Sequence, residues 1–441
     1  MSSSSHPTSN DHLFARHLIT ELQEALGAAK VVNVIGPRQV GKTTMVKTLF
    51  KGGRYITLDE RKTLEALTSD PVTQLTILLQ DLHEGPLIVD EVQRLKSLAL
   101  DIKLIVDNDR RHGRFLLTGS SNVFSTLDAT DSLAGRMLTL KLWPLSLAEL
   151  ERRGPNHLLD WAAQTAPDLT NAPEAPIYQR SHYIDLILRG GYPEIRLLNS
   201  RLRGNRYRDY VDAVVDRDVS DLLKVRKSDA LRRLIDQLAA RTSFELNMSE
   251  LSSLIGVQRQ TLDQYVDVLT RLSVVTRQPA WSASESKRDI RNSKMHFVDT
   301  GVVSALRGLT SDSFNLNADP TALGGLLETW VFNELLRSVQ HQKIHFRLYH
   351  WRDRNKREID ILISHSAGLI AIEVKAASEV SNRDFKNLRW FAHEGPGKGK
   401  RVTQIVIYLG DAKLSFGDRA FALPASVLCG DAITNIGIES N

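Results

Sequence analysis

Gly36-Pro-Arg-Gln-Val-Gly-Lys-Thr43 fills an eight-position phosphate-loop pattern, and it lies between an apolar strand, Val31 to Ile35, and a helix. Such a loop aims backbone N–H groups and a helix N-terminus at a β-phosphate, while Lys42 neutralises the β/γ oxygens and the Thr43 hydroxyl ligates Mg²⁺. ATP contacts are therefore expected from Gly36, Pro37, Arg38, Gln39, Val40, Gly41, Lys42, Thr43 and Thr44. Leu87-Ile-Val-Asp-Glu91 is an apolar strand ending in two carboxylates, with Asp90 placed for the magnesium shell and Glu91 as a water-polarising base. The strand Phe115 to Thr118 runs into Gly-Ser-Ser121, where Ser120 is either a sensor of the γ-phosphate or a turn cap. Arg136 reads as an arginine finger in a neighbouring subunit, an internal sensor, or a surface ion pair.

A second constellation lies near the C-terminus. Arg357-Glu-Ile-Asp-Ile-Leu-Ile-Ser364 and Leu369-Ile-Ala-Ile-Glu-Val-Lys375 alternate as strands around the loop His365 to Gly368. A turn centred on Ser366-Ala367 sets Asp360 opposite Glu373, with Glu358 and Lys375 on the same face. Facing carboxylates cost roughly 0.2–1 kcal/mol unless neutralised, and Mg²⁺ held by Asp360 and Glu373 would do so. With Lys375 serving the attacking water, this is a layout for phosphodiester hydrolysis. Glu328, on the helix Leu326 to Leu336, is either a fourth member or a helix-surface acid. The competing reading of the hairpin is a solvated face with isoleucines inward.

These residues need scaffolds. A chain of 441 residues, 42% hydrophobic and 25% charged, is long enough for two to four globular domains. Basic residues exceed acidic ones by 57 to 52, a balance that permits an acidic partner without demanding one. One cysteine, Cys429, without zinc spacing elsewhere, fits a reducing cytoplasm. The polar start, Met1 to His12, and the lack of a long apolar run predict neither a signal peptide nor a membrane span.

Leu18, Leu22 and Leu26 predict an amphipathic helix over Leu13 to Leu26, and Tyr55 to Leu58, Leu87 to Val89 and Phe115 to Thr118 predict further strands of a doubly wound parallel sheet. Beyond Pro144 the pattern turns helical to about Arg241, interrupted by a loop from Pro155 to Pro176, and reads as a lid. Asn247-Met-Ser-Glu250 has capping-box spacing, Gly256 ends that helix, and a second follows through Leu262 and Leu269, giving a helix-turn-helix outline. Gln258, Arg259, Gln260 and Thr261 would face DNA, against the repulsion of Asp263 and Asp267, or the unit is a structural hinge. Arg201, Arg203, Arg206 and Arg208 read as a solvated helix face. Lys343, Arg347, Arg352, Arg354, Lys356 and Arg357, with Tyr349 and Trp351, form the stronger nucleic-acid candidate. A final α/β unit is expected from Lys294 onward.

The phosphate loop, Val89-Asp-Glu-Val-Gln93, Thr118-Gly-Ser-Ser121, Leu133-Ala-Gly-Arg136, Gly190-Gly-Tyr-Pro-Glu194, Phe297-Val-Asp-Thr-Gly301, Glu358-Ile-Asp360 and Glu373-Val-Lys375 together resemble the prokaryotic AAA-type ATPases that carry a C-terminal nuclease-like domain. The resemblance covers nearly the whole length. It implies an N-terminal helix and P-loop core over 1–150, a helical segment over 151–241, a winged helix over 242–290, and a fold similar to the PD-(D/E)xK nucleases over 291–441. It carries nucleotide roles onto Lys42, Thr43, Asp90 and Glu91, and nuclease positions onto Glu328, Asp360, Glu373 and Lys375. One departure is Ile359 where the pattern has proline, and the metal-binding aspartate is kept. The expectation is a cytoplasmic, ATP-hydrolysing, DNA-associated protein that forms homo-oligomers. Its rivals are a nucleotide switch whose C-terminal domain binds DNA or a protein without cutting, and a DNA-translocating motor.

Overall fold

The computed structural model describes residues 14–50, 53–80, 82–120, 133–219, 228–283, 293–315 and 320–432. Met1 to Leu13, Ser121 and Ser132, named above, lie outside them. Strands β1 (Val31–Ile35), β2 (Arg54–Thr57), β3 (Leu87–Asp90), β4 (Phe115–Gly119) and β5 (Met137–Lys141) form one sheet, all parallel, in the order β2-β3-β4-β1-β5. The inner strands are apolar on both sides because helices cover both faces. Helices α1 (Leu18–Ala28) and α2 (Lys42–Leu49) pack Leu22 and Val46 on Val32, Val34 and Leu116. On the other face, α3 (Arg61–Ser69), α4 (Pro71–Gln80) and α5 (Leu98–Asn108) bring Leu67, Leu75 and Ile102 to Val31, Val89 and Leu117. Strand β5 was not foreseen in the pattern. It is an edge strand whose half-exposed Met-Leu-Thr-Leu-Lys lacks the continuous apolar run of its neighbours.

Two expectations are corrected downstream. The Pro155-to-Pro176 stretch contains a buried helix, Leu158–Ala162, and the segment is fastened to the C-terminal part of the chain instead of standing alone as a lid. Trp161 meets Phe421 edge-on, Asn156 donates to the Val427 carbonyl, and Tyr183 OH accepts from Ser426 N. The strand at Lys294, expected to open the final unit, is β7 (Lys294–Phe297), and it pairs antiparallel with β6 (Val275–Gln278). A boundary at 290/291 therefore cuts a hairpin that follows the two helices Met248–Ile255 and Arg259–Arg271. Of the capping box, Asn247 accepts from Glu250 N, while the Glu250 carboxylate turns to Arg241 at 3.4 Å; Gly256 closes the first helix in the left-handed region.

The last sheet is mixed, with β8 (Arg347–Arg352), β9 (Glu358–His365), β10 (Gly368–Lys375), β11 (Val402–Tyr408), β12 (Leu414–Ser415) and β13 (Ala420–Pro424) in the order β12-β13-β11-β10-β9-β8. The long helix Pro320–Ser338 packs on one face against Ile361, Ile370 and Ile405, and Phe385, Leu388 and Phe391 cover the other against Ile359, Leu362 and Val406. Pairing of His365 with Gly368 and Ile361 with Ile372 is the register read from the turn.

The Gly-Gly-Tyr-Pro-Glu and Val-Asp-Thr-Gly motifs meet in the core between these parts. Asp299 accepts from Gly191 N at 2.6 Å and from Gly301 N at 2.9 Å, capping the helix Thr300–Leu306. At Gly190 φ is +66°, and a Cβ would lie 2.1 Å from Asp299 Oδ1 and 2.6 Å from Tyr207 OH. Gly190→Ala is therefore expected to lower the unfolding free energy by about 3 kcal/mol or more. The left-handed backbone accounts for roughly 1–2 kcal/mol of this and the displaced buried carboxylate for the rest. A denaturant melt shifted by less than about 1 kcal/mol contradicts this.

Candidate functional site

Strand order brings the carboxyl ends of β1, β3 and β4 side by side, and the phosphate-loop residues gather there. Gly36 is required by close approach, since a Cβ would sit 2.1 Å from the Leu142 carbonyl oxygen. Lys42 Nζ donates to the Gly36 and Pro37 carbonyls at 3.0 and 2.8 Å, which holds the ammonium over the turn. Thr43 Oγ1 donates to Asp90 Oδ2 at 2.7 Å, so the two groups assigned to magnesium are in contact. Glu91 takes a left-handed backbone, φ +59°, that turns its carboxylate away from Asp90 toward Gln93. Burial, opposed by Lys42 and reinforced by Asp90, raises its pKa above the usual carboxylate range. Ser120 Oγ accepts from Gln93 Nε2 at 3.2 Å, which links it to Glu91.

Sequence reasoning missed several members. Tyr55 OH donates to Asp90 Oδ2 at 2.7 Å, and Thr118 Oγ1 donates to Asp90 Oδ1. Gln93 was legible only as part of a motif. Arg16, just ahead of α1, braces the loop by donating to the Val40 carbonyl at 2.7 Å while paired with Glu149 at 3.0 Å. No spacing rule links residues so far apart.

Lys141 lies beside Ile35 in the sheet, with its ammonium 3.8 Å from the centre of the Trp143 ring. Burial pushes its pKa down to about 8. The unfolded chain keeps this proton to about 10.4, so the fold is penalised below pH 8 and the penalty fades as pH rises from 8 to 10.5. Lys141→Met should thus gain roughly 2 kcal/mol of stability at pH 7 and almost none at pH 10.5. Equal melting shifts at both pH values would disprove it.

Arg136 is not brought to the loop. Its carbonyl accepts from Val31 N at the amino end of β1, the opposite edge of the sheet from Gly36, and its guanidinium pairs with Asp107. An internal sensor role is excluded by this position. An arginine finger would have to act across a subunit boundary.

In the C-terminal sheet the register sets Asp360 by Glu373, as the turn predicted. Asp360 Oδ2 accepts from Val374 N at 2.9 Å, and Lys375 Nζ lies 2.8 Å from Glu373 Oε1. Glu373 Oε2 is buried and has no hydrogen-bond partner among the described residues. Burial and then Asp360 push the Glu373 carboxyl up to about 8. Glu328 does converge on this cluster from its helix, but through a residue that sequence reasoning missed. Lys294, 2% exposed, lies 2.7 Å from Glu328, 2.5 Å from Glu358 and 3.6 Å from Asp360. Among the described residues no three His, Cys, Asp or Glu side chains group as metal ligands. The facing pair, with its unpartnered oxygen, fits Mg²⁺, which commonly takes one or two carboxylates and fills its shell with water.

The expected nucleic-acid residues are divided by the fold. Tyr349 and Trp351 are buried, the latter against Phe391 and Trp390, so neither offers a face to a base. The Arg357 guanidinium lies 3.8 Å over the Trp390 ring. Arg347 sits at the far end of β8, in an open groove with His345, His365, Lys400 and Arg401. Gln258, Arg259 and Gln260 are exposed, with Arg259 3.9 Å from Asp263, and Asp267 is paired with Arg277 at 2.7 Å. No described helix is long and apolar enough to cross a membrane.

Comparison with known proteins follows the same division. An AAA domain model matches residues 28–151, and two domains of unknown function, DUF8612 and DUF4143, match 180–313 and 323–428. Uncharacterized proteins of Mycobacterium bovis and Mycobacterium tuberculosis are each 26% identical over 413 residues, covering 93% of this chain and 83% of theirs. A solved Walker-type ATPase of Pyrococcus abyssi aligns with 68% of this chain and 97% of its own at 15% identity and a TM-score of 0.43. With the family match falling on the β1-to-β5 sheet and its assembled Thr43–Asp90 pair, the amino-terminal unit of this chain is an AAA-type P-loop ATPase domain.

Proposed function

We propose that the protein binds and hydrolyses Mg·ATP and acts on DNA through a metal-dependent, nuclease-like C-terminal domain. Residues 247–297 then work as a winged helix, the β6–β7 hairpin being the wing. The observation that carries the nuclease part is the facing pair Asp360 and Glu373, its Oε2 buried without a partner and Lys375 alongside. In the ATP site, Lys42 would hold the phosphates, Thr43 and Asp90 would hold Mg²⁺, and Glu91, positioned by Gln93, would accept a proton from water. In the second site Asp360 and Glu373 would hold a divalent ion, which when bound supplies an activated water and polarises the phosphodiester. Val374 N–H fixes the Asp360 carboxylate, and Lys375 orients the water that Glu373 faces.

A second reading has its own support. Because Lys294 already neutralises Glu328 and Glu358, the domain can instead be a non-cutting DNA or protein module governed by nucleotide. Cleavage of a labelled duplex in Mg²⁺ by wild type and by Asp360→Asn separates the two. Loss of cutting in the variant supports the nuclease, and no cutting by wild type, with or without ATP, supports the switch.

A further inference from the structure

Lys294 is held where it is by more than its ion pairs. Its strand partner Gln278 donates its side-chain amide to the Tyr349 and Asp360 carbonyls, both at 2.9 Å, so the β6–β7 hairpin is tied to β8 and to the strand that carries Asp360. His296, two residues along β7, bridges the Gln278 side chain at 2.9 Å and Thr329 on the long helix at 3.1 Å, next to Glu328 in sequence. The ammonium thus enters the cluster on a fixed backbone. It takes Glu328 and Glu358 at contact distance but stands 3.6 Å from Asp360, while Glu373 receives only Lys375. Four carboxylates are in this way partitioned into a pair neutralised from within and a pair facing each other.

We infer that Lys294 is a resident cation that occupies a second divalent-ion position formed by Glu328, Glu358 and Asp360. Glu328, the nuclease position that the resemblance supplied, is thereby withheld from the ion at Asp360–Glu373. Two carboxylates on an ammonium with excellent geometry leave no lone pairs for a metal, whereas the same acids without the ammonium form a strongly anionic oxygen cage. The inference rests on the reading of Asp360 and Glu373 as a metal pair, and the hairpin becomes the element whose displacement would open the second position.

The test is Mn²⁺ titration of the full chain by calorimetry, with Lys42→Ala removing the nucleotide site. With Lys294 intact, one Mn²⁺ per chain is expected. Lys294→Met should bind one additional ion, Lys294→Arg should restore the single ion, and Glu328→Gln in the Lys294→Met background should remove the addition. If Lys294→Met does not fold, Lys294→Gln, which keeps a donor to Glu328 without the charge, takes its place. Equal stoichiometry with and without Lys294 overturns the inference and leaves the metal pair standing. Binding only after Lys294 is removed overturns the metal pair and keeps the inference, and no binding in either case overturns both.

Discussion

Glu91→Gln should bind ATP within about threefold of the wild-type affinity and hydrolyse it at least about 100-fold more slowly. Removing a positioned general base typically loses 10²–10⁴ in rate, and an amide cannot take the proton that water must shed. The structure sharpens this expectation. Glu91 points away from the Thr43–Asp90 contact, so the substitution leaves the groups assigned to magnesium untouched, and Gln93 and Ser120 continue to hold the side chain in place. Lys42→Ala forms the contrast, because it deletes the cation at the β/γ-phosphates and should abolish binding itself. Isothermal titration for affinity and phosphate release for turnover read the two effects separately. Wild-type turnover in Glu91→Gln would remove Glu91 from the mechanism.

Asp360→Asn should abolish the stabilisation that Mn²⁺ or Mg²⁺ gives the protein and, with it, any DNA cleavage. A ligand that binds only the folded state adds RT ln(1 + [L]/Kd), about 2.7 kcal/mol at a hundredfold excess over Kd, a shift of several degrees in melting temperature. Asparagine is the informative substitution because it keeps an oxygen for the Val374 N–H. Alanine would orphan that buried donor, at about 1–3 kcal/mol, and confuse lost folding with lost binding. Lys375→Ala should keep the metal-induced shift but lose cleavage, since its ammonium faces Glu373 and the water and does not itself hold the ion. Measured in the Lys42→Ala background, identical divalent-ion responses in wild type and Asp360→Asn would end the metal assignment.

What the sequence determined by itself was local and periodic. A strand, a glycine turn and a helix in immediate succession define the phosphate loop, because its backbone N–H groups, Lys42 and Thr43 belong to one continuous segment. The hairpin was equally legible. A side-chain period of two and a turn at Ser366-Ala367 leave one register that buries the isoleucines, and that register sets Asp360 beside Glu373. What the tertiary structure decided was how distant segments meet. Arg136 looked like a sensor from its place in the motif order, yet parallel strands return the chain to the amino edge of the sheet before β5, away from the nucleotide loop. Tyr349 and Trp351 looked like a stacking platform, but helix Lys386–His393 covers the face they occupy. Lys294 carried no signal, since a lysine opening a strand is ordinarily solvated. Only the docking of the hairpin on the long helix and on β9 surrounds it with carboxylates from residues 328, 358 and 360, and a buried charge becomes stable only when those partners arrive from elsewhere in the chain.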